Sequence, residues 1–256
     1  MSHLCIETRG IASWRERLAD PEAQWRRKYS AFETAVSWEG ASSSDAGLPQ
    51  PIADLFRNSI FGEPTLLLSV AEHKVPLKGR GGDSQCDVWA LVQTTNVGIV
   101  SLSVEAKADE PFGTGNESLK HWLAVTGSEQ PQRQNPEQWE QIEKSRKNRV
   151  DRWRHVQEYL PNPVRDGYEQ VPYQLLHRCA AAVIEAGRLG ISSAAFVVQA
   201  FHSPDESFKA FSLFCDAVGI KAERGRMQIT IVGKVQLGIG WADCPFATDE
   251  QVAAVV

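Results

Sequence analysis

Two periods of apolar and polar positions divide the chain. Trp25, Tyr29, Phe32 and Val36 recur at 4-3-4 spacing, which puts them on one face of a helix. Asp20, Pro21 and Glu22 add an N-cap carboxylate, a first-position proline and an early acid, so one amphipathic helix is predicted over residues 21–39. Residues 40–51, rich in Ser, Gly and Pro and without periodicity, predict a surface loop. Beyond it the period drops to two. Strands are predicted over residues 65–70, 87–94 and 99–107, with a polar, glycine-rich connection at 78–85. In the third strand Val100, Leu102, Val104 and Ala106 point one way, and Ser101, Ser103, Glu105 and Lys107 the other. The first row predicts a core face, the second a face that carries chemistry.

Helical spacing returns at Asn135, Pro136 and Gln138, a cap, a first-position proline and a capping-box partner. Trp139, Ile142, Trp153, Val156 and Leu160 continue it as a long, largely polar helix. A second helix, rich in Ala and Leu, is predicted over 172–185, and the uniformly apolar residues 194–201 predict a strand buried on both faces. Residues 208–218 read as another helix and 227–241 as two strands around Gly233. The expectation is a single α/β domain spanning 1–256, with a core over about 20–202 and a C-terminal helix-and-strand extension over about 203–256.

At 256 residues, 42% hydrophobic and 23% charged, the chain is neither a disordered tail nor a fibrous repeat. Its 27 basic and 32 acidic residues give a net charge of −5, which excludes a strongly polybasic binder but leaves a local basic surface open. One such surface is the run Lys144, Arg146, Lys147, Arg149, Arg152 and Arg154, which could track a phosphate backbone with Trp153 nearby for stacking; the alternative is a solvated helix face. The five cysteines are scattered without CxxC spacing, so neither a disulfide framework nor a zinc ribbon is indicated. HExxH, GxxxxGK[ST] and GxSxG patterns are absent. No apolar run approaches the roughly 20 residues of a membrane span, and the charged N-terminus does not read as a signal peptide. A cytoplasmic protein without a membrane partner is expected.

The strongest chemical signal is Asp87 followed eighteen residues later by Glu105-Ala106-Lys107. Glu105 and Lys107 share a strand face, and an odd-numbered hairpin loop near residues 95–98 would bring Asp87 opposite them, whereas an even one would turn it away. Two carboxylates beside a lysine offer hard oxygen ligands for Mg²⁺ or Mn²⁺ and a cation to orient or deprotonate an attacking water. Such a site must converge in an open cleft; divergence, or a cleft plugged by Trp89 or by residues 110–113, would sink the catalytic reading.

At these residues the chain resembles the PD-(D/E)XK nuclease superfamily, and residues 84–113 and 172–178 resemble an uncharacterised bacterial branch of it. The resemblance implies a restriction endonuclease-like α/β core of helix, three-stranded antiparallel meander, helix and further strand. It implies that Asp87 and Glu105 hold Mg (or Mn) together with the backbone carbonyl of Ala106, and that Lys107 is the catalytic lysine. Cys86 stands where a proline often precedes the aspartate. A first-helix glutamate would face the metal; helical geometry does not choose between Glu33 and Glu39, and Glu33 is the preferred candidate. Gln174 resembles a glutamine that exonuclease-like branches add to the site, with Arg178 one turn on for phosphate. The expected activity is metal-dependent hydrolysis of DNA, ahead of RNA, with Lys144, Arg146, Lys147, Arg149 and Arg178 contacting nucleic acid and a homodimer left open. The alternative is a catalytically inactive nuclease-fold protein that binds nucleic acid or a protein partner.

Overall fold

A computed structural model describes residues 10–79, 82–112, 117–124, 135–161 and 167–256. Cys5, the Arg80-Gly81 part of the glycine-rich connection, and Gly113 lie outside them. Two short helices, α1 (Ala12–Arg15) and α2 (Pro21–Gln24), precede α3 (Ser30–Ala41) and α4 (Gln50–Arg57). Strands β1 (Pro64–Val75), β2 (Ser84–Thr94) and β3 (Gly98–Lys107) follow as an antiparallel meander. Helices α5 (Leu119–Leu123), α6 (Pro136–Gln157) and α7 (Tyr173–Leu189) cross over to β4 (Ser193–Phe201), which is parallel to β3. Helix α8 (Asp205–Val218), the hairpin β5 (Met227–Val232) and β6 (Val235–Cys244), and α9 (Asp249–Ala253) complete the chain. The result is one six-stranded mixed sheet in the order β1-β2-β3-β4-β6-β5, an α/β fold with helices on both faces.

Each sheet face builds its own core. Beneath α6, α7 and α8 lie Cys86, Trp89, Phe196 and Val198; beneath α3 and α4 lie Val88, Ala90, Val100, Leu102, Val104 and Val197. All nine residues of β4 are buried, as its uniform apolar run predicts. Alanines let α7 lie close against the sheet, with Ala180, Ala181 and Ala182 fully buried. On the other face, β6 makes room for α4 at Gly240, where a Cβ would meet Leu55 Cδ1 at 2.9 Å.

The expected course of the chain needs correction in its first helix, and the structure adds a covered face and a helix. The helix predicted over 21–39 is broken into α2 and α3, with Lys28 between them in the left-handed region (φ 68°). The break is fastened by Glu33, whose Oε1 accepts the Lys28 N–H at 2.7 Å, a cap that periodicity cannot reveal. The polar row of β3, the face expected to carry chemistry, is covered rather than open. Ser101, Ser103, Glu105 and Lys107 are as buried as the apolar row, because α7 covers them. Helix α4 falls where the sequence predicts no element; Ile52, Ala53, Leu55 and Phe56 bury its short apolar stripe.

Candidate active site

The β2–β3 hairpin turns on three residues, Thr95-Asn96-Val97, between the paired Thr94 and Gly98. The loop is odd, and continuing the register one step past Val88↔Val104 brings Asp87 opposite Glu105. The ladder stops there. Instead of a backbone partner, the Ala106 N–H donates to Asp87 Oδ2 at 2.6 Å. In a strand a residue's N–H and C=O point to the same side, so the Ala106 carbonyl faces the same gap between β2 and β3.

The opening has a cause in β1. Glu72 takes φ 55°, a left-handed conformation costly for a residue with a side chain, and it sits between the pairs Ala71↔Val88 and His73↔Cys86. Both strands reset their alternation at this point. Ala71 and Val88 belong to the core beneath α3 and α4, yet His73 bonds Glu185 of α7 and Cys86 packs beneath α7. Strict alternation would have kept each pair on one face.

Around this gap five ionisable groups gather. Glu105, 1% exposed, accepts from Lys107 Nζ at 2.8 Å through one oxygen and from Arg178 Nε at 2.7 Å through the other. Arg178 also reaches Ser84 Oγ, while Gln85 donates to Glu72. Burial raises Asp87 well above the usual carboxylate range, with Glu105 and Glu72 adding to it. Glu72 is likewise raised by burial. Burial pushes Glu105 up as well, but Lys107 and Arg178 outweigh it and hold the group down. Lys107 is opposed by its own burial yet raised by Glu105 and Asp87, so it is an ammonium here and not a base. Glu105 is thus the ionised carboxylate between two cations, while Asp87 and Glu72 are biased toward their neutral forms; a dication bound here would favour their ionised forms.

Asp87, Glu105 and Lys107 therefore converge, beneath α7 and the turn that carries Phe112. Lys107 is 5% exposed and its Nζ lies 5.4 Å over the Phe112 ring, so the turn that carries Phe112 covers the lysine. Trp89 is occupied elsewhere, stacked on His73 and donating to Ser101 Oγ. Asp87 and Glu72 keep partial exposure. Among the described residues no group of three or more His, Cys, Asp or Glu is arranged to hold a metal ion by itself. The donor chemistry still suits a hard cation: Asp87 Oδ1 accepts no hydrogen bond among the described residues, and the Ala106 carbonyl faces the same gap. Glu105 would have to exchange Lys107 or Arg178 for the ion.

The other predicted residues separate. Glu33 does not face this cluster. It lies on α3, across the sheet from α7, and its oxygens accept from the backbone N–H groups of Lys28 and Ala247, both at 2.7 Å. Gln174 lies on α7 one turn before Arg178, and its Oε1 is buried without a partner. Arg178 is held by Glu105 rather than presented to a ligand. Of the α6 cations, Lys144 and Lys147 are exposed and Arg146 pairs with Glu143 at 3.7 Å, while Arg149 turns inward to the Trp122 carbonyl. Glu72 escapes sequence reasoning because its placement depends on the kink. Ser84 and His177, 2.8 Å apart, escape it because no motif marks them.

The fold and cluster define an α/β protein with a mixed six-stranded sheet and a buried acid–lysine–arginine group where two strands part. The chain belongs to the family described as "Domain of unknown function (DUF6946)", whose model matches residues 7–245. No curated protein and no solved structure matches it.

Proposed function

We propose that the protein is a metal-dependent nuclease with a restriction endonuclease-like core, hydrolysing phosphodiester bonds of DNA or RNA. The observation that carries this reading is the convergence of Asp87, Glu105 and Lys107 at the point where β2 leaves β3. The order α3, β1–β3, α7, β4 supports it, as does the Asp87 Oδ1 left without a hydrogen bond among the described residues. Asp87, Glu105 and the Ala106 carbonyl would hold Mg²⁺ or Mn²⁺, which when bound supplies Lewis acidity and charge neutralisation at the phosphate. Lys107, kept protonated by Glu105, orients and stabilises developing negative charge. The four described cysteines are free and buried, which fits a cytosolic setting.

One observation favours a second reading, a nuclease-fold protein that binds nucleic acid or a protein partner without cutting: Glu105 is saturated by two cations beneath α7, and Phe112 covers Lys107. Thermal unfolding with millimolar Mn²⁺ or Mg²⁺ separates the two. A cation held at about ten times its Kd stabilises the native state by about 1.4 kcal/mol, a rise of about 2–4 °C per kcal/mol. That rise, and metal-dependent cleavage of an oligonucleotide, should vanish in Asp87→Asn, a substitution that removes the carboxylate with little change in side-chain size. No rise and no cleavage in the parent protein would overturn the metal-dependent reading and leave the second.

A further inference from the structure

Residues Ser145, Asn148, Arg149 and Arg152 fall at i, i+3, i+4 and i+7 on α6 and share one helix face. That face looks onto Trp122 of α5 and Tyr173, the first residue of α7, and encloses a cavity of about 300 Å³. Its charge is one-sided. Arg152 is 8% exposed, donates to the Tyr173 hydroxyl at 3.1 Å and to the Gly82 carbonyl, and has a buried Nη1 with no partner. Arg149 is held by the Trp122 carbonyl and lies 5.6 Å from the Trp122 ring. Among the described residues no carboxylate pairs with either arginine. A guanidinium this deeply buried without a counter-charge is costly, and an anion entering the cavity would remove that cost.

The aromatic groups decide what kind of anion. Trp122 is stacked on Tyr173 with ring centroids 3.7 Å apart, so that face of the indole is taken, and the Arg149 guanidinium lies 5.6 Å from the same ring. Two guanidinium groups, a hydroxyl and an amide in a small cavity match tetrahedral phosphate oxygens. We propose that this cavity is a phosphate-binding site, built from Arg149, Arg152, Ser145, Asn148 and Tyr173, that receives the terminal phosphate of a nucleic-acid strand. Naming a strand as the source rests on the nucleic-acid reading above; the phosphate chemistry does not. The cavity lies at the N-terminal end of α7, the helix that carries Arg178 five residues, or about 7.5 Å of rise, further on.

The test uses the full chain without divalent metal, so that no cleavage intervenes. Inorganic phosphate at millimolar concentration should raise the melting temperature, and a single-stranded oligonucleotide ending in a phosphate should bind about tenfold or more tightly than the same strand with hydroxyl ends. Both effects should be lost in Arg149→Gln, which leaves Arg152 and its links to Tyr173 and Gly82 in place, and both should persist in Asp87→Asn. A rise with inorganic phosphate but no preference among oligonucleotides would support the site and assign it to a free anion. No phosphate effect in the parent, or an equal effect in Arg149→Gln, would overturn it. Because Asp87→Asn is the variant that tests metal binding, failure here and failure of the nuclease reading cannot be confused.

Discussion

The two faces of β3 are equally buried and opposite in chemistry. Toward α3 and α4 it presents Val100, Leu102, Val104 and Ala106; toward α7 it presents Ser101, Ser103, Glu105 and Lys107. Burying hydrocarbon on the first face stabilises the fold at roughly 25 cal/mol per Å². The second face gains no such term, and every polar atom on it has to be matched. Trp89 Nε1 donates to Ser101 Oγ, which donates to the Ala182 carbonyl; Ser103 reaches Cys86; Glu105 holds Lys107 and Arg178. Replacing a buried ion pair by packed hydrocarbon is often neutral or stabilising. A face that keeps Glu105 and Lys107 under a helix, with Arg178 added from α7, is therefore not explained by stability alone.

That contrast can be broken most sharply at Glu105. Glu105→Ala leaves Lys107 and Arg178 buried without their carboxylate and is expected to destabilise by about 3–5 kcal/mol in urea unfolding. The triple change Glu105→Leu, Lys107→Met, Arg178→Leu removes all three charges and should recover stability to within about 1 kcal/mol of the parent while abolishing any metal response. A triple variant as unstable as the single one would mean that the polar face holds the fold together. On the apolar face, Leu102→Ala should cost about 2–5 kcal/mol and leave metal-induced stabilisation unchanged. Ser101→Ala falls lower, at about 1–3 kcal/mol, because the Trp89 N–H and the Ala182 carbonyl lose their partner. An effect below about 0.5 kcal/mol would show that both find replacements.

Strand period alone makes both faces legible: the alternation in 99–107 is the alternation found, and the three-residue turn supplies the odd loop on which the position of Asp87 depends. Whether the second face is covered is not legible, because an alternating strand looks the same under a helix as under water. The same limit hides Glu72. Its φ of 55° resets the alternation of β1, and nothing in the residue type announces it. Glu33 misleads for another reason: a glutamate near a helix start can serve a metal or a backbone cap, and here Lys28 and Ala247 take both oxygens. The basic run on α6 is visible as charge, but helical geometry divides it, sending Lys144 and Lys147 to solvent and Arg149 and Arg152 inward.

The smallest effect tests whether the region beneath α7 stays uncharged beyond its ion cluster. His177 bonds Ser84 through Nδ1 at 2.8 Å and packs against Tyr173. Burial, with Arg178 and Arg152 adding to it, lowers its pKa well below the usual histidine value. Above the unfolded value of about 6.5 both states are neutral, and the ring has no effect on stability. As pH falls below about 6.5 the unfolded chain takes up a proton that the native state refuses, so stability is lost at up to about 1.4 kcal/mol per pH unit. His155, lowered chiefly by burial, acts in the same direction, whereas Asp87 and Glu72, raised by burial, oppose it. The informative quantity is thus the difference between the parent and His177→Gln. Between pH 6.5 and 5.5 the parent should lose about 1 kcal/mol more than the variant in urea unfolding. Parallel profiles would mean that His177 takes up its proton in the folded protein, and that the polar face tolerates a third cation beside Lys107 and Arg178.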